Sequence, residues 1–180
     1  YRSNGDLFEC NDGGVYISTN DGDSWTDKTN TMAISQIYKL SVAQSVPQDV
    51  ILGLQDNGSK NVVNGVWEDV LGGDGMECLI DYSNADVQYG ALYYGRIKRT
   101  IDHWNNYVSV QPNTPNEGAW VTPYIIDPND PNTLYAGFED VYKTTDRGDN
   151  WVSIFDKNSG SKFRSMAIAP SDNQVIYAGE

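Results

Sequence analysis

The sequence predicts an all-β chain, a β-propeller segment of about four four-stranded blades. Three observations carry that reading: a repeat of paired apolar runs, a tryptophan that recurs in step with it, and turn residues that fall between the runs. Lys39-Leu40-Ser41-Val42-Ala43-Gln44, Glu77-Cys78-Leu79-Ile80-Asp81-Tyr82, Pro123-Tyr124-Ile125-Ile126-Asp127-Pro128 and Ser165-Met166-Ala167-Ile168-Ala169-Pro170 stack without a gap, at intervals of 38, 46 and 42 residues. Ten or eleven residues after each start comes a second run, at Val50, Val87, Thr133 and Val175, ending on Gly53, Gly90, Gly137 and Gly179. A period of that length with about four short strands per unit is the signature of a propeller blade.

Taken in order, residues 7–30 read as the second, third and fourth strands of a first, partial blade. Three complete blades follow at 37–71, 76–110 and 121–155, and residues 165–180 supply the first two strands of another. On the first strands Leu40, Val42, Cys78, Ile80, Tyr124, Ile126, Met166 and Ile168 share one register, and Ser41, Leu79, Ile125 and Ala167 the other. Both registers are largely apolar, as expected of a sheet covered on both faces. Trp25, Trp67, Trp104 and Trp151 lie at intervals of 42, 37 and 47 and are read as opening the fourth strands. Asn11-Asp12-Gly13-Gly14, Gln55-Asp56-Asn57-Gly58, Asn64-Gly65, Asp127–Asn132 and Asn158-Ser159-Gly160 separate the runs, as hairpin turns require. About four units fall short of a closed ring, so the expectation is a stretch of a larger propeller of about seven blades, its remaining blades lying elsewhere in the same polypeptide.

Composition narrows the partners. A net charge of −13 and a pI near 4.2 repel nucleic acid and anionic membranes, leaving polysaccharides or proteins as the expected ligands. No apolar run approaches a membrane span, so no membrane insertion is expected. Cys10 and Cys78, placed on strands by the repeat, are expected to be buried free thiols. The single histidine, His103, precedes Trp104 and is assigned to a turn; without a second histidine, triads and histidine metal sites have no support. The Asp127–Asn132 turn lacks the spacing of a Ca²⁺ loop, and neither a metal nor a cofactor is expected.

Two segments carry a sharper signature. Ser18-Thr19-Asn20-Asp21-Gly22-Asp23-Ser24-Trp25 and Thr144-Thr145-Asp146-Arg147-Gly148-Asp149-Asn150-Trp151 resemble the Asp-box, Ser/Thr-x-Asp-x-Gly-x-Thr-Trp, of sialidases, sortilin-type receptors and xyloglucan-specific endoglucanases. The second fits the pattern with Asp146, Gly148 and Trp151. The first has Asn20 where Asp is expected and carries its acid at Asp21, while the two intervening units keep a tryptophan and lose the box. The residue types explain a structural role: a short polar side chain accepts turn N–H groups, the glycine takes a left-handed conformation, and the tryptophan fills space between blades.

A longer resemblance covers about residues 7–180. Gly13–Thr19, Leu54-Gln55-Asp56-Asn57-Gly58-Ser59, and Leu71–Cys78 followed by Ile80-Asp81 are similar to Asp-box (BNR) repeat proteins secreted by Bacteroidetes-type bacteria, which implies a secreted or cell-surface bacterial protein. That group mixes glycosidases, adhesins and other surface proteins. The resemblance therefore implies a binding or scaffold propeller, with a xyloglucanase-like polysaccharide hydrolase and a sortilin-like peptide-binding propeller as alternatives.

Where the aligned units differ is where a ligand would be recognised. At the lead-in to the first strands stand Gln36, Asp74, Trp120 and Lys162. After the second strands come Asp12 with Gly13, Gln55 with Asp56, Tyr93 with Tyr94, and Glu139 with Asp140. Both sets should reach one rim. The candidate ligand-binding residues are Asp56, Asp74, Glu77, Tyr93, Tyr94 and Trp120, carboxylates beside stacking rings as a glycan cleft would use. Asp56 and Asp74 are also the candidate catalytic carboxylates of a glycosidase. Asp-Asn-Gly and Gly-Asp-Gly are equally turn-forming, and both readings stand.

Overall fold

The computed structural model describes residues 5–11, 14–30, 35–156 and 160–180. The expected rim position at Asp12-Gly13 and most of the Asn158-Ser159-Gly160 turn lie outside the described residues. The chain divides into two compact units, Tyr1–Ser35 and Gln36–Glu180. It is an all-β propeller segment of five antiparallel sheets, mostly four-stranded.

The first unit holds one sheet, with β1 (Leu7–Asn11), β2 (Gly14–Ser18) and β3 (Thr26–Asp27) in that order. Cys10 is exposed here, against the expectation of a buried thiol. The reason is its place on β1, the edge strand of a three-stranded sheet whose residues beyond Leu7 are all exposed.

The second unit contains three four-stranded meanders and a hairpin. The first comprises β4 (Ile37–Val42), β5 (Val50–Leu54), β6 (Gly58–Val63) and β7 (Val66–Leu71). In the next, β8 (Gly75–Ile80) and β9 (Gln88–Leu92) lead through a 3-10 turn at Tyr93–Gly95 into β10 (Arg96–Thr100) and β11 (Val108–Ser109). The third is β12 (Tyr124–Asp127), β13 (Asp130–Gly137), β14 (Val141–Thr144) and β15 (Val152–Phe155), and the last pairs β16 (Ser165–Ala169) with β17 (Asp172–Gly179). The first strands β4, β8, β12 and β16 touch one another in succession, which is how blades follow each other around a propeller.

Two clusters fill the spaces between these sheets. Met76, Val87, Tyr89, Ile97, Tyr124 and Leu134 form one, and Ala43, Ile51, Cys78, Ile80 and Ala85, with Trp104 against them, form the other. Each fully buried large side chain contributes about 1.5–3 kcal/mol. The glycines that close the second strands allow this approach: a Cβ on Gly53 would sit 2.0 Å from the Met76 carbonyl oxygen of the adjoining sheet. Coverage on both faces holds for β9, where Gln88, Tyr89, Gly90 and Ala91 are all buried. It fails for β4, whose Leu40 and Val42 are 53% and 45% exposed, because β4 belongs to the first sheet of its unit and has a neighbouring sheet of that unit on one side only.

The hairpins between third and fourth strands revise the sequence alignment. In the β14–β15 turn, Thr144 Oγ1 accepts the N–H groups of Asp146 and Gly148, and Asp146 Oδ1 accepts the Thr144 hydroxyl and the Asn150 N–H. The β10–β11 turn has the same network: Thr100 Oγ1 accepts from Asp102 and Trp104 N–H, and Asp102 Oδ1 accepts from Thr100 Oγ1 and Asn106 N–H. So the turn was not lost from this unit. Its letters changed: Trp104 stands in the place of Gly148 and Tyr107 in that of Trp151, three residues from the alignment that matched Trp104 to Trp151. His103 thereby matches Arg147 rather than Asn150, and both have left-handed backbones, with φ of 58° and 61°.

A tryptophan at φ 64° is an uncommon choice, costing about 1–2 kcal/mol. Trp104 offsets it by donating Nε1–H to Gln88 Oε1 at 2.8 Å and packing on the Ile51–Ile80 cluster. In the first unit, Ser18 and Asn20 make the same contacts, with Gly22 and Ser24 N–H as donors. Asn20 thus does the work of the missing acid and Asp21 takes the left-handed position at φ 55°. Only the β6–β7 hairpin departs, closing on Asn64-Gly65 alone, both at positive φ, and Trp67 lies 60% exposed on β7 instead of between sheets. Trp151 does fill that role, packing on the Met76–Leu134 cluster and donating Nε1–H to the Val110 carbonyl at 2.6 Å.

Candidate binding site

Antiparallel pairing brings the starts of the first strands beside the ends of the second, as Ile37 with Leu54, Gly75 with Leu92, and Tyr124 with Ala136. The backbone ties the two sets of variable residues together there. Gln55 N–H donates to the Gln36 carbonyl at 2.9 Å, Tyr94 N–H to the Trp120 carbonyl at 3.3 Å, and Phe163 N–H to the Phe138 carbonyl at 2.8 Å. The Thr144 and Thr100 turns lie at the opposite ends of their sheets, since Thr144 pairs with Leu134 near the start of β13 while Val141 pairs with its last residue, Gly137.

Three of the six candidate residues form one cluster. Tyr93 and Trp120 stack with their planes 8° apart and centroids at 5.5 Å, and Tyr94 meets both edge-on, at 5.5 and 5.4 Å. The 3-10 turn accompanies this arrangement: Tyr94 takes φ 63°, and the two adjacent tyrosine rings stand 84° apart. Trp120 is 42% exposed, and its Nε1–H donates to Tyr38 Oη at 3.3 Å, a residue 82 positions away in β4. Tyr38 Oη in turn donates to Gln55 Oε1 at 3.3 Å. The sequence reading passed over Tyr38. It lies in a bulge between Ile37 and Lys39, which aims it out of the strand's alternation, and no period-two pattern reveals that.

The acids divide differently. Asp74 Oδ1 accepts the Asp56 N–H at 2.8 Å, and Gly58 N–H donates to the Gly73 carbonyl at 2.7 Å, so the Gly-Asp-Gly segment clamps the adjoining Asp56-Asn57-Gly58 turn. Asp56 sits at φ 57° within that turn. Turn formation accounts for both residues. Glu77 is nearly buried, 3.5 Å from Lys39 Nζ. Burial pushes its carboxyl above the usual range, and the Lys39 ammonium pulls it partly back. The Tyr124 hydroxyl donates to the Glu77 carbonyl at 2.8 Å, fixing that backbone from the next sheet.

Around the cluster lie two cations. The Arg96 guanidinium is 4.7 Å from the Tyr93 ring centre and Lys162 Nζ is 5.6 Å from that of Tyr94. A cleft of about 320 Å³ continues from Tyr94 and Arg96 along Gln111, Asn113 and Glu117. The remaining polar residues singled out in the sequence serve the frame. His103 lies between Asp86, 3.4 Å from Nδ1, and Asp49, 3.7 Å from Nε2. Asp127 accepts from Asn129 N–H and Asn173 Nδ2, and Asp130 from Asn132 and Thr133. Arg147 reaches the fully buried Asp81 of the neighbouring sheet at 3.1 Å.

No family model and no curated protein matches the chain. Solved structures do. An ancestral GH74 enzyme is similar with a TM-score of 0.69 at 20% identity, over 95% of this chain and 25% of its own. The GH74 enzyme of Niastella koreensis gives 0.57 at 15%, over 79% and 26%, and YCF48 bound to D1 peptide gives 0.54 at 13%, over 87% and 52%. The chain spans about a quarter of the GH74 structures and about half of the YCF48 structure. At these identities the likeness is one of fold, and it agrees with the five-sheet meander: a segment of a β-propeller.

Proposed function

We propose that this segment is the binding face of a secreted or cell-surface propeller that recognises glycans, its remaining blades supplied by the same polypeptide. The Tyr93–Trp120 stack carries the reading. A stacked ring pair whose outer member, Trp120, is two-fifths exposed offers a flat apolar face beside hydrogen-bonding groups, which suits a pyranose ring with its C–H face and rim of hydroxyls. The Thr144, Thr100 and Ser18 turns are Asp-boxes in this reading, and they hold the frame from the opposite end of each sheet.

Isothermal titration calorimetry of the intact protein against soluble polysaccharides tests it. Trp120→Ala should weaken binding at least about tenfold, as loss of a central aromatic anchor does. Unchanged glycan affinity in that variant removes the stack as the site.

One observation favours hydrolysis as a second reading. Glu77 is raised by burial, the state a general acid requires, and stands on β8 three residues after Asp74. If Glu77→Gln, Asp56→Ala and Asp74→Ala all leave polysaccharide cleavage by the intact protein unchanged, these carboxylates are not its catalytic pair.

A further inference from the structure

The proposed glycan surface carries a charge that the rest of the molecule opposes. The chain has a net charge of −13, and four of its twelve lysines and arginines pair locally with carboxylates: Lys39 with Glu77, Lys60 with Asp69, Arg99 with Asp149 and Arg147 with Asp81. Arg96 and Lys162 are placed differently. Among the described residues neither lies within ion-pair distance of a carboxylate, and both rest on the tyrosines of the aromatic cluster. The two come from different sheets, Arg96 opening β10 and Lys162 leading into β16, so the fold brings them to the same pair of adjoining rings. A guanidinium is held over a ring face in one arrangement without losing its N–H donors, leaving the fork free to take a carboxylate.

We infer that the surface takes an acidic glycan, a uronate-bearing oligosaccharide whose carboxylates engage Arg96 and Lys162 while a sugar ring stacks on Trp120. This rests on the glycan reading above and names its ligand class. Sugar is favoured over acidic peptide by the flat Tyr93–Trp120 stack and by Gln111 and Asn113 in the adjoining cleft, whose amides both donate to and accept from hydroxyls. The nearby acids are Glu117, which lines the cleft, and Glu139, which accepts the Asn116 Nδ2–H at 2.7 Å. They set a limit on how many carboxylates the cleft itself can admit and place the charged sugar on the Arg96–Lys162 side.

The test is calorimetry on the intact protein with tetragalacturonate, its fully methyl-esterified form and hexaglutamate. Galacturonate should bind about tenfold or more tighter than the ester at low salt, with the gap closing as salt rises. Arg96→Gln and Lys162→Gln should each weaken galacturonate binding about tenfold and the ester far less, while Trp120→Ala weakens both alike. Equal, Trp120-dependent binding of acid and ester overturns the acidic ligand and spares the glycan surface. Binding of neither sugar overturns both. Hexaglutamate binding as tight as galacturonate, with the same dependence on Arg96 and Lys162, reassigns the surface to acidic peptides. The ester comparison needs no substitution, so a variant that fails to fold leaves the outcome readable.

Discussion

The two ends of these sheets solve opposite problems. At the hairpin end one hydrogen-bond network is built from different letters: Thr144, Asp146, Gly148 and Trp151 in one sheet, Thr100, Asp102, Trp104 and Tyr107 in another. At the rim one backbone frame carries different chemistry, an Asp74 clamp in one sheet and a Trp120 platform in another. Geometry is what is kept at the hairpin end and side-chain chemistry is what varies at the rim. The carboxylates show it. Hydrogen bonds from Asn150 and Thr144 hold Asp146 down to about 2, and Asn106 lowers Asp102, whereas burial raises Glu77. The two hairpin acids have their charge stabilised; Glu77, at the rim, has it penalised.

The sharpest way to break this contrast is at Gly148. A Cβ there would lie 2.9 Å from Val110 Cβ at φ 94°, so Gly148→Val should cost about 2–5 kcal/mol in urea unfolding. Gly65→Ala, at φ 81° with nothing within 4 Å, should cost only about 1 kcal/mol. Next come Thr144→Val and Thr100→Val, each leaving two turn N–H groups without their acceptor, for about 1–3 kcal/mol apiece. If Thr100→Val is neutral while Thr144→Val is not, the two turns are not equivalent. At the rim, Trp120→Ala should change stability by less than about 1 kcal/mol although it removes ligand binding.

A smaller effect separates the ends by pH. Asp146, depressed from 3.8, contributes stability that is present above about pH 4 and lost as pH falls through about 2. Glu77, raised from 4.5, has the opposite sign: its burial opposes folding above that range, and the penalty is relieved as pH falls and the group protonates. Melting temperature against pH should therefore show Asp146→Asn shallower than the parent below pH 4, and Glu77→Gln differing from the parent above pH 5 but not below pH 4. The smallest effect is chemical and leaves the fold untouched. One thiol, exposed Cys10, should react with a disulfide reagent in the folded protein, and both in denaturant, because burial pushes Cys78 up to about 12.

Much of the fold was legible because strands repeat by simple rules. Apolar runs such as Cys78–Ile80 and Tyr124–Ile126 mark first strands, and the glycines Gly53, Gly90 and Gly137 recur where adjoining sheets come closest. The third turn was misread because its glycine and tryptophan are replaced by Trp104 and Tyr107, and a letter match follows the tryptophan while the hydrogen bonds follow Thr100 and Asp102. Of the candidate site, Tyr93, Tyr94 and Trp120 were legible as variable residues on a constant frame. Asp56 and Asp74 were legible only as acids, and the hydrogen bond from the Asp56 N–H to Asp74 Oδ1 is a contact between segments of adjoining sheets.

By itself the sequence determined the local terms: strand positions from apolar spacing, turns from Asn, Asp and Gly, and the rim from where aligned units differ. Those depend on neighbours a few residues apart. The stacking of Tyr93 on Trp120, the reach of Trp120 to Tyr38 across 82 residues, the burial that raises Glu77 and the meeting of Arg96 and Lys162 on one ring pair were decided by tertiary structure. Each depends on how far a sheet turns relative to the next and on a bulge or left-handed residue that re-aims a side chain, and neither quantity is carried by the periodicity of the chain.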